Sequence, residues 1–513
     1  MTDETLPTGW SKIAIEKLAT GRGLIDGPFG SNLMTKHYTA TGPRVIRLQN
    51  IGDGKFLDER AHISDEHFQS LRKHDARPGD IVVAMLGEVL PRACLVPASL
   101  GPAVVKADCV RLRLNDIALP GFVVAALNSP QVRKDVTDLV HGVGRPRLGL
   151  TLFRTVEIPL APKAEQGRLV EALDSYLSRL DGAVANLERV RRNLGRYRSS
   201  VLQTAVEGGL VTTEAELARA EGRSFEPASV LLKRILVERR KRSEANGKKG
   251  KYGEPVGPDP ACLPELPEVW CWASVDQLAA DESQSLCDGP FGSNLKSEHY
   301  TDAGPRVLRL QNIGDGTFVD VKTHVSQEHF DTLRRHQVFP GDLLVASLGE
   351  VLPRACRVPE SLGPAIVKAD CLRFKPNIRV ADIGYLLAAL NSPPVRAAVS
   401  ERVHGIGRPR MGLGGFRETC IPLPPLAEQS RIAIESDRLL SIAEQIDGVV
   451  QGQLARRGRL RQAILKWAFE GKLVDQDPSD ESASPVAGEH RRHGGTGRGG
   501  RNSRSVPARE ATT

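Results

Sequence analysis

Two kinds of hydrophobic patterning occur along the chain, and each occurs twice. Arg44-Val45-Ile46-Arg47-Leu48 alternates with a period near two and runs into the turn-rich stretch Asn50-Ile51-Gly52-Asp53-Gly54, which predicts a half-buried strand and its turn. Pro78-Gly79-Asp80 predicts a turn into the apolar strand Ile81-Val82-Val83-Ala84, and Val104-Val105 and Val110-Arg111-Leu112-Arg113-Leu114 predict further strands. A short helix is predicted from His62 to His74, and helical periodicity appears between Val123 and Leu139. Short strands divided by turns, with a few helices, predict an α+β globule of roughly 150 residues.

The second pattern is a long helix. Ile158-Pro159-Leu160-Ala161-Pro162 and Ile421-Pro422-Leu423-Pro424-Pro425 are extended stretches leading into Ala164-Glu165-Gln166 and Ala427-Glu428-Gln429. Proline and glutamate there are helix-start chemistry, because proline tolerates the first turn and a carboxylate favours the positive end of the helix dipole. Beyond, Leu173, Leu177, Leu180, Val184, Leu187, Leu194 and Val201 step at threes, fours and sevens, as do Leu439, Ile442, Ile446, Val449 and Ile464. That spacing predicts a coiled-coil seam, interrupted by Arg191 and Gln453 and weakened by Gly182, Gly195, Gly448 and Gly458. Each helix is expected to end at a glycine, Gly208 or Gly471, suited to a left-handed cap. At 1.5 Å per residue the first helix measures about 65 Å. Two such helices pack most simply on each other; the alternative is that each lies along its own globule.

The pairing of patterns reflects a duplication. Asp26-Gly27-Pro28-Phe29-Gly30-Ser31-Asn32-Leu33 returns unchanged as Asp288-Gly289-Pro290-Phe291-Gly292-Ser293-Asn294-Leu295, and the alignment continues without a gap to Cys109 and Cys371 with most positions identical. Copies of this length are whole domains, not solenoid repeats. The chain divides into a first globule (1–163), a long helix (164–211), a connector (212–265), a second globule (266–426), a second long helix (427–474) and a tail (475–513). Residues 227–243 of the connector read as helix, and Asn246 to Lys251 as a flexible basic linker, a solvated tether or a phosphate contact. The tail is Gly/Arg/Ser-rich without apolar periodicity and is expected to be disordered.

Charge changes this picture little. The chain of 513 residues carries a net +8, but residues 233–251 alone hold nine Lys/Arg against two Glu. The globules are not basic overall, so a nucleic-acid face must come from how charges are arranged. Eight cysteines lack any C-x-x-C pair, and the equivalent positions Cys94/Cys356 and Cys109/Cys371 read as buried thiols in a cytoplasmic protein. No apolar run approaches the roughly 20 residues of a membrane span, and Met1-Thr2-Asp3-Glu4 is not a secretory signal.

The sequence offers little enzymatic chemistry. Asn128-Ser129-Pro130-Gln131 and Asn391-Ser392-Pro393-Pro394 lack the aromatic of a methyltransferase base-holding tetrapeptide and read as turns beside helices. Glu88 and Glu350 lack the lysine two residues on that a metal nuclease needs, and there is no P-loop. His62 and His67, like His324 and His329, are five apart and do not share a helix face, so no metal site is expected. Gly142-x-Gly144-Arg145-Pro146-Arg147 and Gly405-x-Gly407-Arg408-Pro409-Arg410 put guanidinium forks beside glycines, suited to phosphate or to internal salt bridges. Other recurrent polar residues suit base edges or phosphates: Ser31, Asn32, Arg47, Gln49, Asn50, Arg92 and Lys106, matched by Ser293, Asn294, Arg309, Gln311, Asn312, Arg354 and Lys368. Asn50 and Asn312 also fit a purely turn-holding role.

With these pieces the chain resembles the specificity subunit of type I restriction–modification systems. The resemblance rests on Gly27 to Leu33, Val45 to Ile51, Pro78-Gly79-Asp80-Ile81, Ile421 to Gln429 and Ala468-Phe469-Glu470-Gly471-Lys472-Leu473, and spans about residues 6–474. The first copy departs slightly, with Ala161 and Lys163 where the second has Pro424 and Leu426. The resemblance implies two target-recognition globules joined by two long antiparallel helices that form a coiled-coil spacer, with no catalytic activity of its own. Implied partners are double-stranded DNA, two methyltransferase subunits and ATP-dependent restriction subunits. S-adenosylmethionine, ATP and Mg are expected on those partners, with no cofactor on this chain. It further implies that Gly27 to Leu33, shared by members with different targets, serves folding or backbone contact. The competing reading is a non-catalytic scaffold that binds other proteins through its globules and coiled coil.

Overall fold

The computed structural model describes residues 6–140, 146–245, 252–259, 263–403 and 409–483. Two compact units emerge, Met1–Asn186 with Gln453–Thr513, and Leu187–Gly452. Each holds one globule and a part of each long helix.

In the first unit, strand Ser11–Ala14 pairs antiparallel with Glu157–Leu160, tying the start of the globule to the residues that enter the long helix. Between them lies an antiparallel sheet in the order Ala19–Asp26, Cys109–Leu114, Ile81–Ala84, Arg92–Leu95. Ile81–Ala84 is buried throughout, which is why it reads as a solid apolar run and not as an alternation. A second sheet orders His62–Ile63, Tyr38–Ile46, Ala103–Val105 and Asp75–Ala76, with its central pair parallel. The helix predicted from His62 to His74 resolves into a strand, the helix Asp65–Ser70 and a 3-10 turn. Ser64 caps that helix by accepting the His67 N–H. Helices Pro120–Leu127 and Pro130–Leu139 break at Asn128-Ser129, where the buried Asn128 amide bonds both the N–H and the carbonyl of Ala93. The second unit repeats this plan, from Cys271–Ser274 paired with Cys420–Leu423 to the same two four-stranded orders.

The long helices are Lys163–Val206 and Leu426–Phe469. Arg457 reaches Asp181 at 3.1 Å in the first unit, and Arg191 reaches Asp447 at 3.6 Å in the second. Ascending numbers on one helix therefore meet descending numbers on the other, and the pair is antiparallel. Leu173, Val184 and Val201 are buried on the first helix, as the heptads predict. The seam of the second helix differs from the prediction. Ile442, Ile446 and Val449 are exposed, while Ser436, Ala443 and Val450, seven apart, are buried. Arg191 does not interrupt the pairing but crosses it as an ion pair.

The Ala-Glu-Gln stretches do more than start helices. Buried Glu165 accepts the Trp10 indole N–H at 2.9 Å, and Glu428 accepts that of Trp270 at 3.1 Å. Gln166 accepts the Leu119 N–H and donates to the Ala161 carbonyl; Gln429 does the same with Asp382 and Pro424. Globule and helix are thus one packed body at each joint. Gly208 and Gly471 adopt φ of +80° and +68°, and an added Cβ would stand 2.6 and 2.8 Å from the Pro267 and Pro7 rings. Both backbone and space demand glycine there. The first helix therefore ends against the start of the second globule, and the second helix against the start of the first.

The helix read over 227–243 is present, joined by a shorter one before it, and one expectation about the tail needs correction. The connector folds into helices Glu214–Glu221 and Ala228–Ala245, and Ala228, Leu231, Leu232 and Ile235 join the core of the second globule. Arg234, Arg239, Arg240 and Arg242 sit within ion-pair reach of Glu226, Asp281, Glu244 and Glu238, so these four arginines carry local counter-charges. The linker 246–251 lies outside the described residues. Residues 475–483, expected to be disordered, pack on the first globule: the Ala483 N–H donates to the Gly9 carbonyl at 2.8 Å, and Asp480 pairs with Arg168 at 2.7 Å. Anchoring by these bonds replaces apolar periodicity as the ordering force. Residues 484–513 lie outside the described residues. No helix among those described is long and apolar enough to cross a membrane. Cys94, Cys109, Cys356 and Cys371 are buried free thiols, and burial pushes Cys94, Cys356 and Cys371 up to about 12.

Candidate nucleic-acid interface

Strand register gathers the candidate residues at one end of each globule. Asp26 opposes Val110, while Ala84 opposes both Cys109 and Arg92. The loops after Asp26 and Ala84 and before Cys109 and Arg92 therefore share one sheet edge. Ile46 opposes Val105 in the parallel pair, which brings the ends of those two strands to the same place. An isolated bridge from Leu86 to Arg147 adds the loop before the last short helix.

The Gly-Pro-Phe-Gly loop fits tightly. A Cβ on Gly27 would stand 2.1 Å from the Lys106 carbonyl carbon, and one on Gly289 would meet Lys368 equally closely. Only glycine permits this approach. Gly30 and Gly292 turn the chain with φ of +65°. Asn32 donates its amide to the Phe29 carbonyl at 3.2 Å, and His67 Nε2 lies 2.9 Å from the Asn32 carbonyl. His37 stacks on His67 at 4.4 Å, as His299 does on His329 at 4.3 Å. Desolvation first, then the neighbouring His67 and Lys36, hold His37 below its ordinary range. No group of three metal-ligating side chains occurs among the described residues.

On this scaffold Ser31, Asn32 and Gln49, with Ser293, Asn294 and Gln311, are exposed. Arg47, Arg92 and Lys106, with Arg309, Arg354 and Lys368, are half-buried beside them. Lys106 donates to the Tyr38 hydroxyl at 3.0 Å, and Lys368 to Tyr300 at 2.7 Å. Arg309 covers the Tyr300 ring at 5.7 Å, and Arg354 donates to the Leu310 carbonyl. Arg147 and Arg410 are exposed, and each meets an aspartate, Asp108 at 2.7 Å and Asp370 at 2.8 Å. Arg145 and Arg408 lie outside the described residues.

Asn50 and Asn312 do not belong to this surface. Both are fully buried. Asn50 accepts the Arg47 N–H and donates to the Leu57 and Glu59 carbonyls, and Asn312 repeats the pattern. Their amides are committed to holding the turn, so they have none to offer a base. Residues that sequence reasoning passed over are Phe29 and Phe291, each 47% exposed at the tip of the tight loop. The sequence does carry a signal for them: a large apolar residue inside a run of glycine, proline and small polar groups.

No family model matches the chain. Among curated proteins it is 25% identical over 511 residues to the type I restriction enzyme EcoKI specificity subunit of Escherichia coli (strain K12), covering 96% of this chain and 94% of that one. It is 28% identical over 486 residues to the StySPI specificity subunit of Salmonella potsdam, covering 92% and 90%. The chain is a relative of the type I restriction specificity subunits. To the EcoBI specificity subunit of Escherichia coli it is 26% identical over 422 residues, 80% of this chain and 77% of that specificity subunit. A solved structure from work on complex assembly and conformational transition of the type I R-M system superposes with a TM-score of 0.57 at 17% identity, over 91% of this chain and 99% of that one. At that identity the likeness is one of fold, and it is the fold of two α+β globules and two long helices described above.

Proposed function

We propose that this chain is the DNA-reading subunit of a type I restriction–modification assembly. It recognises an interrupted double-stranded site with its two globules and performs no chemistry itself. The observation that carries this reading is the appearance, in both globules, of the same sheet-edge surface of exposed polar residues and half-buried cations, within a chain similar over almost its full length to specificity subunits. Arginine and glutamine at such an edge suit base edges, and lysine and the loop arginines suit phosphates.

Two globules this alike read alike half-sites, so the target is close to palindromic around its spacer. Two methyltransferase subunits and ATP-dependent restriction subunits supply the reactions in the cytoplasm, carrying S-adenosylmethionine, ATP and Mg. The exposed apolar strip Ile442, Ile446 and Val449 on the second long helix supports docking of one such partner, since an apolar patch on a helix surface marks an interaction site. Methylated-base mapping of the host with and without the gene tests the reading. A gene-dependent, bipartite, near-symmetric methylated motif is expected. Two unrelated half-sites would overturn the symmetry, and no gene-dependent methylation would overturn the function.

A further inference from the structure

The Gly-Pro-Phe-Gly loop is rigid, and what it presents to solvent is a phenyl ring. Gly27 locks the loop against the Lys106 backbone, and Asn32 ties its far side to the Phe29 carbonyl, yet Phe29 itself is 47% exposed. Among the described residues, none of the globule's hydrophobic clusters includes that ring. Its neighbour is Arg147, whose guanidinium carbon lies 5.3 Å from the ring centroid and whose charge is held by Asp108 at 2.7 Å. Asp108 sits in the left-handed region, φ +67°, where aspartate and asparagine are among the few side-chain-bearing residues tolerated. The second globule repeats every part: Phe291 47% exposed, Arg410 at 5.1 Å, Asp370 at 2.8 Å and φ +72°.

We propose that Phe29, Arg147 and Asp108, with Phe291, Arg410 and Asp370, form a carboxylate-latched DNA grip. This rests on the DNA-reading function above and says how one element of that surface works. The phenyl packs on the apolar sugar and base edges of the duplex, and the arginine exchanges its aspartate for a neighbouring phosphate. The ion pair is exposed, about half on the arginine side, and exposed pairs are weak enough to exchange. The arginine gains a phosphate only by giving up a carboxylate, so an encounter with DNA that does not seat the phenyl brings little net stabilisation. The aspartates therefore suppress binding to non-target sequence.

The test uses the full chain co-expressed with its methyltransferase partner and two probes, a duplex carrying the mapped methylated motif and a mixed-sequence duplex. Asp108→Asn with Asp370→Asn keeps size and left-handed backbone while removing the charge. It is expected to tighten mixed-sequence binding by roughly threefold per copy, with less effect on the target, so that discrimination falls. Arg147→Gln with Arg410→Gln is expected to lower the slope of log affinity against log salt by about 0.9 for each phosphate no longer neutralised. Phe29→Ala with Phe291→Ala is expected to weaken target binding with that slope unchanged and with the unfolding midpoint unmoved. An unchanged mixed-sequence affinity in the aspartate variants, or an unchanged slope in the arginine variants, overturns the latch while leaving DNA reading intact. If the unaltered complex fails to distinguish the two probes, the DNA-reading function itself is overturned.

Discussion

Asn50 and His74 show how single residues fix the surface without belonging to it. The Asn50 amide makes three hydrogen bonds with no exposed surface. Asn50→Ala removes all three bonds and leaves the Arg47 N–H without its acceptor, and about 1–3 kcal/mol of stability should be lost. A urea unfolding midpoint lowered for this variant, but not for Gln49→Ala, is the expected result. His74 Nδ1 lies 2.6 Å from the Asp26 carbonyl beneath the Gly-Pro-Phe-Gly loop, and His336 occupies the equivalent place at Asp288. Burial holds both histidines below the ordinary value of 6.5. A depressed histidine binds its proton more readily when unfolded, so stability is full above pH 6.5 and falls as the pH drops below it. Thermal unfolding should show this decline before carboxylates begin to titrate, and His74→Asn with His336→Asn should flatten it. A decline of the same size in the double variant would assign it elsewhere.

At the scale of elements, the joint between globule and helix is held by buried hydrogen bonds that the heptads do not foretell. Trp270→Phe leaves the buried Glu428 carboxylate without its indole donor. A loss of about 1–3 kcal/mol is expected, read as a lower unfolding midpoint with helical content retained before the transition. Ile442 and Val449 are the converse case, apolar but unburied. Ile442→Lys with Val449→Lys should leave the unfolding midpoint within about 0.5 kcal/mol of the original and abolish co-purification of the methyltransferase subunit. Retained co-purification would move the partner surface off this strip. Heptad spacing alone assigns these residues to the seam, since periodicity reports that an apolar stripe exists but not which of two adjacent stripes a partner helix selects. The stripe that the fold buries is Ser436, Ala443 and Val450.

At the scale of the whole molecule, each globule is completed by chain from the far end of the other repeat. The residues after the first long helix reach the second globule, where Leu231, Leu232 and Ile235 join its core, and the residues after the second reach the first, where the Ala483 N–H donates to the Gly9 carbonyl at 2.8 Å. A chain in which residues 6–160 also replace 266–423 should therefore fold and direct methylation at a fully symmetric site containing one natural half twice. A gene-dependent motif with the original asymmetry would refute that. The duplication, the α+β character of each copy, the long helices and their terminal glycines were all readable in the sequence, because they depend on local periodicity, on repetition and on backbone conformations that glycine alone favours. The meeting of Phe29, Arg147 and Asp108 was not, nor was the burial of Asn50 or the folding of residues 475–483 onto Gly9. Those outcomes depend on strand register and on which distant groups a side chain finds within hydrogen-bonding reach, and only the tertiary structure brings such groups together.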